Sequence, residues 1–171
     1  MKKLILFMFA CVLCFFIIGC KNTYGAVMYS QSTEWIKESF LKDNRVYGAF
    51  YKNENYDPNS ENSEPKYVRD TISPKDRTFI IDNLDEFNNV FKPDTLELDF
   101  DKETIYLYIF SDVYGSRIYF IDDISLNDEK VCIYYTLEAK NIGDATMPYQ
   151  RCLIVVMQKN SAKEAEFIEK R

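Results

Sequence analysis

Few residues in this sequence have the types and spacing that do chemistry. No histidine occurs anywhere in its 171 residues, so the usual general base, zinc ligand and pH switch is missing. Asp99, Asp101 and Glu103 alternate just before an apolar run, as calcium-binding acids do. A calcium loop also brings a glycine for its sharp turn and a distant bidentate acid; neither is present, so these acids read as solvated groups at the start of a strand. Asp122 and Asp123 adjoin. A glycosidase needs two carboxylates facing one bond, and neighbours on a strand point to opposite faces. Ser111 and Ser125 stand near expected turns, but without histidine a nucleophile needs a lysine, an aspartate or a metal to activate it. Neither a Walker loop nor a dinucleotide fingerprint occurs. No catalytic residue, cofactor or metal is expected.

Cysteine is the informative residue type. Lys2 and Lys3 precede fifteen residues, 4–18, with no charge, and Gly19 then stands before Cys20. A charged start, an apolar middle and a small residue at the cut make a secretory signal. Ile17-Ile18-Gly19-Cys20 resembles the bacterial lipobox, in which a signal peptidase cuts before the cysteine and the thiol carries a lipid. The apolar run is shorter than the ~20 residues a membrane span needs. A plain signal peptide and an uncleaved anchor are the alternatives. Cys11 and Cys14 lie inside the signal. The expected organisation is a lipoprotein signal peptide at 1–19, a lipid-anchored tether at 20–31, a globular β-rich domain at 32–160 and a charged tail at 161–171.

Removing 1–19 leaves 152 residues, enough for a core. That segment carries two lysines and no acid, so the formal charge goes from −6 to −8. So acidic a chain is a poor partner for nucleic acid and is repelled by anionic lipid heads. The expected location is the extracytoplasmic face of the cell membrane, held there by the lipid on Cys20. Tyr and Phe, 13 of each, favour a sheet-rich domain.

Helices are expected over 32–43, capped by Thr33, and over 83–91, capped by Asn83 with Asp85 and Glu86 in the first turn. Strands are expected over 45–52, 66–72, 77–82, 104–111, 117–125, 131–138 and 149–158, with 104–111 central. A solvated loop is expected at 53–65, a glycine turn at Gly115, a longer connection with Gly143 at 139–148 and a thin charged helix at 161–171. Consecutive strands joined by short turns predict an α+β fold: one domain, mostly antiparallel sheet of six or seven strands, with two or three short helices. If the strands of Cys132 and Cys152 form a hairpin centred near Ile142, the two cysteines face each other with Cα atoms ~4.5–5.5 Å apart. A disulfide and a pair of free buried thiols both remain open there.

Residues 77–159 resemble the C-terminal domain of the PrcB family, subunits of a bacterial surface protease complex. Four segments carry the likeness: the strand and helix from Phe79 through Phe87 to Phe91; Leu98-Asp99-Phe100-Asp101-Lys102-Glu103 before the strand from Ile105 to Phe110; Gly115 followed by Arg117-Ile118-Tyr119-Phe120-Ile121; and Met147-Pro148-Tyr149 opening the last strand. The family tends to pair glycines where this chain has Gly115-Ser116-Arg117. The resemblance implies a non-catalytic accessory subunit that assembles or localises a protein partner in the cell envelope. A lipoprotein binding a small molecule or polysaccharide is the alternative. An exposed aromatic face favours the first and a concave pocket the second.

Overall fold

The computed structural model describes residues 25–60, 62–113, 117–127, 129–139 and 147–170. The signal, Cys20, Gly115 and Gly143 lie outside the described residues. In order, the elements are β1 (Met28–Ser30), a 3-10 turn (Thr33–Trp35), α1 (Glu38–Asp43), β2 (Phe50–Lys52), β3 (Tyr67–Arg69), β4 (Asp76–Ile81), α2 (Leu84–Val90), β5 (Glu103–Asp112), β6 (Arg117–Asn127), β7 (Lys130–Ala139), β8 (Tyr149–Gln158) and β9 (Glu164–Glu169). The chain is mostly β with short helices, and the nine strands among the described residues exceed the six or seven expected.

The strands form a four-stranded sheet in the order β1-β8-β5-β4, a three-stranded sheet β6-β7-β9 and a ribbon β2-β3. All pairs are antiparallel except β7 with β9. β5 and β8 are apolar on both faces, as strands covered on both sides must be. Ile105, Leu107, Ile109, Cys152, Ile154 and Val156 face one core, with Ile36, Val46, Phe87, Val90 and Phe91. Tyr106, Tyr108, Phe110, Leu153, Val155 and Met157 face a second core, closed by Tyr119, Ile124, Val131, Ile133, Tyr135 and Phe167 of the three-stranded sheet. The layers therefore run helices, four-stranded sheet, three-stranded sheet.

Local chemistry explains where elements differ from expectation. α2 forms as the pattern predicts, and Asn83 Oδ1 accepts the Glu86 N–H at 2.9 Å. The helix expected over 32–43 splits at Ile36, which leaves helical geometry to bridge Phe91 and is fully buried; Thr33 caps nothing and opens the 3-10 turn. Gly48, at φ +86°, interrupts the strand expected over 45–52, leaving only Phe50–Lys52. The tail expected to be a charged helix is strand β9, parallel to β7, with Phe167 buried in the second core. Its alternation of Glu164 and Glu166 with Ala165 and Phe167 offers a period of two to the sheet, whereas its apolar stripe is too thin to hold a helix.

The meander is broken twice. β6 pairs with β7, not β5, and β8 returns to β5. Cys132 and Cys152 consequently sit in different sheets, opposite Ser125 and Ile109, and both are free. Cys132 alternates with Val131 and Ile133, which face the second core, so its side chain is on the outer side. Cys152 faces the first core. Two sheet layers ~10 Å apart separate them, beyond the ~7 Å Cα limit of a disulfide. The hairpin register centred on Ile142 does not form.

Candidate functional site

The acids that could do chemistry are engaged locally. Asp99 accepts from Lys102 Nζ at 2.6 Å and the Asp101 N–H at 3.1 Å, while Glu103 accepts the Asp99 N–H at 3.0 Å. The bond from Lys102, followed by that from the Asp101 N–H, holds the Asp99 carboxyl below its usual range. The three acids fold a tight turn, and among the described residues no group of three or more acids or cysteines is placed to hold a metal. Asp122 is the extra residue of a β-bulge in β6 and accepts from Thr136 Oγ1 at 3.2 Å. The bulge resets the alternation, so Tyr119 and Ile121 before it and Ile124 after it all face the second core. Two Ser-x-x-Lys spacings occur, at Ser39–Lys42 and Ser63–Lys66. Lys42 is ion-paired with Glu54 at 2.5 Å, and Lys66 lies over the Tyr67 ring.

The most organised polar constellation was not legible as a site. It lies where β5 ends and β6 and β8 begin. On β5, Tyr106, Tyr108, Phe110 and Asp112 form one inward stripe, so the period that buries the aromatics also buries the carboxylate, 6 % exposed. Arg117 Nη1 donates to Asp112 Oδ1 at 3.0 Å, the Val113 N–H to the same oxygen at 2.7 Å, and the Tyr119 hydroxyl to Oδ2. β8 places Tyr149 opposite Asp112 and Arg151 opposite Phe110. Arg151 Nη1 donates to the Tyr149 hydroxyl at 2.9 Å and Nη2 to the Arg117 carbonyl at 3.1 Å, and its guanidinium lies over both the Tyr119 and Tyr149 rings. Gln31 then pairs with the Tyr119 backbone, Nε2 donating to its carbonyl at 2.7 Å and Oε1 accepting its N–H at 3.3 Å. That side chain ties the β1 rim to the open edge of β6.

Burial and the bond to Asp112 raise the Tyr119 phenol above its ordinary value. It is a neutral donor, not a base. Asp112 holds donors from three residues and serves as a fastener. Among the described residues the cluster brings together two guanidiniums and one carboxylate. Two exposed apolar residues flank it: Val113, next after Asp112, and Met147, two before Tyr149. Pro148 accepts the Phe50 N–H at 2.8 Å, fixing the β2–β3 ribbon at the same end. Met, Tyr and Arg around an apolar patch is the composition enriched at protein interfaces.

No family model, curated protein or solved structure matches this chain. The site therefore stands on its geometry. Two segments that carried the sequence resemblance, Arg117–Ile121 and Met147–Tyr149, meet at this end through the Arg151 guanidinium. Elsewhere, a groove of about 610 Å³ is lined by Lys42, Arg45, Tyr51, Lys52, Tyr56 and Gln150 among others. Arg45 stacks there on Tyr51, 4.7 Å from the ring centre.

Proposed function

We propose that this chain is a non-catalytic, lipid-anchored protein of the cell envelope, an accessory subunit that helps assemble or localise a surface protease complex. The likeness to the PrcB C-terminal domain supplies the kind of partner, and Cys20 supplies the anchor. The observation that supports a protein-binding role best is the sandwich end around Asp112. A braced Arg–Tyr platform with exposed Val113 and Met147 beside it is rigid and apolar at its rim, as an interface needs. Its carboxylate fastens neighbours instead of activating water. The test is purification of the lipidated protein from solubilised membranes. A protease-complex component should co-purify, and Met147→Asp should abolish this while leaving the circular dichroism spectrum unchanged. Cys20→Ala should leave the protein unprocessed or released. Turnover of a protein, ester or glycan substrate by the chain alone contradicts the proposal.

The groove at Arg45 favours a second reading, a lipoprotein that binds a polysaccharide, because Tyr51 and Tyr56 offer ring faces and Gln150 and Asn53 polar edges. Titration with envelope glycans, lost in Tyr56→Ala, distinguishes it.

A further inference from the structure

We propose that the rim made by Val27, Met28 and Tyr29 lies in the headgroup region of a lipid bilayer, so that the domain stands on the membrane at a fixed pole. This inference rests on the reading of Cys20 as the lipid-attachment site.

The structure shortens the tether expected from sequence. The Val27 N–H already donates to the Val156 carbonyl at 2.8 Å, and Met28 to Ser30 pair with Val156 to Ile154 at the sheet edge. Only six residues, 21–26, separate Cys20 from Val27. Seven steps reach at most ~25 Å, and ~15 Å on a root-mean-square basis. A domain of this size has a radius of gyration of about 15 Å, close to 38 Å across. The anchor therefore reaches only the pole that carries Val27.

The rim itself is apolar. Val27, Met28 and Tyr29 are 57 %, 36 % and 40 % exposed. These three successive apolar residues, at the start of an edge strand, belong to neither core, and an amphipathic interface accommodates them. Asp122 and Asp123 line the same cavity as Tyr29. This nearby negative charge favours neutral over anionic headgroups. The opposite pole is the Asp112 end: Met28 pairs with Val156, and Met147 stands nine positions before Val156, two before β8 begins, an extended reach of about 30 Å. The same orientation leaves the proposed docking end in water.

The chain carries its own probe. Once the signal is removed its methionines are Met28, Met147 and Met157. Met28 and Met147 are almost equally exposed, at 36 % and 40 %, and Met157 is buried. Hydrogen peroxide transfers one oxygen to an accessible thioether and leaves as water, giving the sulfoxide. The lipidated protein is reconstituted in phosphatidylcholine vesicles, treated with peroxide and analysed by peptide mass spectrometry. Met28 should oxidise about tenfold more slowly than Met147. Bound protein with equal rates at the two methionines overturns this inference and leaves the anchor standing. Protein recovered free of the vesicles overturns both.

Discussion

Asp112 illustrates how one buried carboxylate organises its surroundings. It holds Arg117 and Tyr119 across the gap between the two sheets, and each loses an acceptor when it is removed. Asp112→Ala should therefore destabilise the fold by about 2–4 kcal/mol, under the full range for a broken buried pair, because the Arg117 side chain is 26 % exposed. The urea midpoint reads this directly, and a change below measurement error contradicts it. The second core is also rich in buried phenols. Burial raises Tyr106, Tyr108 and Tyr119 above the ordinary phenol value, and burial followed by the Glu169 charge pushes Tyr135 up to about 12. Burial likewise pushes the Cys152 thiol up to about 12. The folded chain keeps these protons where the unfolded chain releases them, so the stabilisation is complete below about pH 9 and is lost as pH rises through ~9 to ~12. Each group contributes a slope of about 1.4 kcal/mol per pH unit between its unfolded and folded values. The urea midpoint should be flat from pH 7 to 9 and fall by the equivalent of ~3 kcal/mol or more at pH 11. Cys152→Ala should remove the portion that sets in first. An unchanged midpoint at pH 11 contradicts this account.

Among the elements, β6 gives the sharpest test. Asp122 is the extra residue of its bulge, and deleting it restores strict alternation with Tyr119, Ile121 and Ile124 still inward. That deletion should fold at a cost of about 1–2 kcal/mol, whereas deleting Phe120 sends Tyr119 out of the core and should abolish folding. Similar thermal melts for the two deletions contradict the register. Legibility from sequence varied with the range of the interaction that decides each element. α2 was legible because its cap, its acids and its apolar stripe are local. β5 and β8 were legible as strands because Ile105–Phe110 and Cys152–Met157 are continuous apolar runs. Their pairing with each other was not, because the choice between β7 and β5 as the neighbour of β8 depends on contacts across the whole chain. β9 was missed because its strand state is stabilised by β7, not by its own propensity. The Asp112 cluster was missed because Asp112, Arg117, Tyr149 and Arg151 are polar residues at strand ends, where solvated charges are ordinary. Only the inward period of Tyr106, Tyr108 and Phe110, extended two residues further, pointed to a buried carboxylate.

At the scale of the whole molecule, β8 sets the polarity. Its far end pairs with β1, which leads back toward Cys20, and its near end carries Tyr149 and Arg151 beside the exposed Met147. On the proposed function, the anchored rim and the docking surface stand toward opposite ends of this strand. The second core joins the two sheets between them through stacked Tyr108 and Phe167, 4.8 Å apart, and Tyr119 packed edge-on to Phe110. Such packing transmits position rather than motion, as the proposed role of holding a partner at a set height above a membrane requires. The most direct measurement is site-specific photo-crosslinking in intact cells, with a photoreactive residue at position 147 and, as control, at Glu129 in the β6–β7 turn at the other pole. The account predicts one discrete adduct with an envelope protein from position 147 and no adduct with that protein from position 129. No adduct at 147, or the same adduct from both positions, contradicts it.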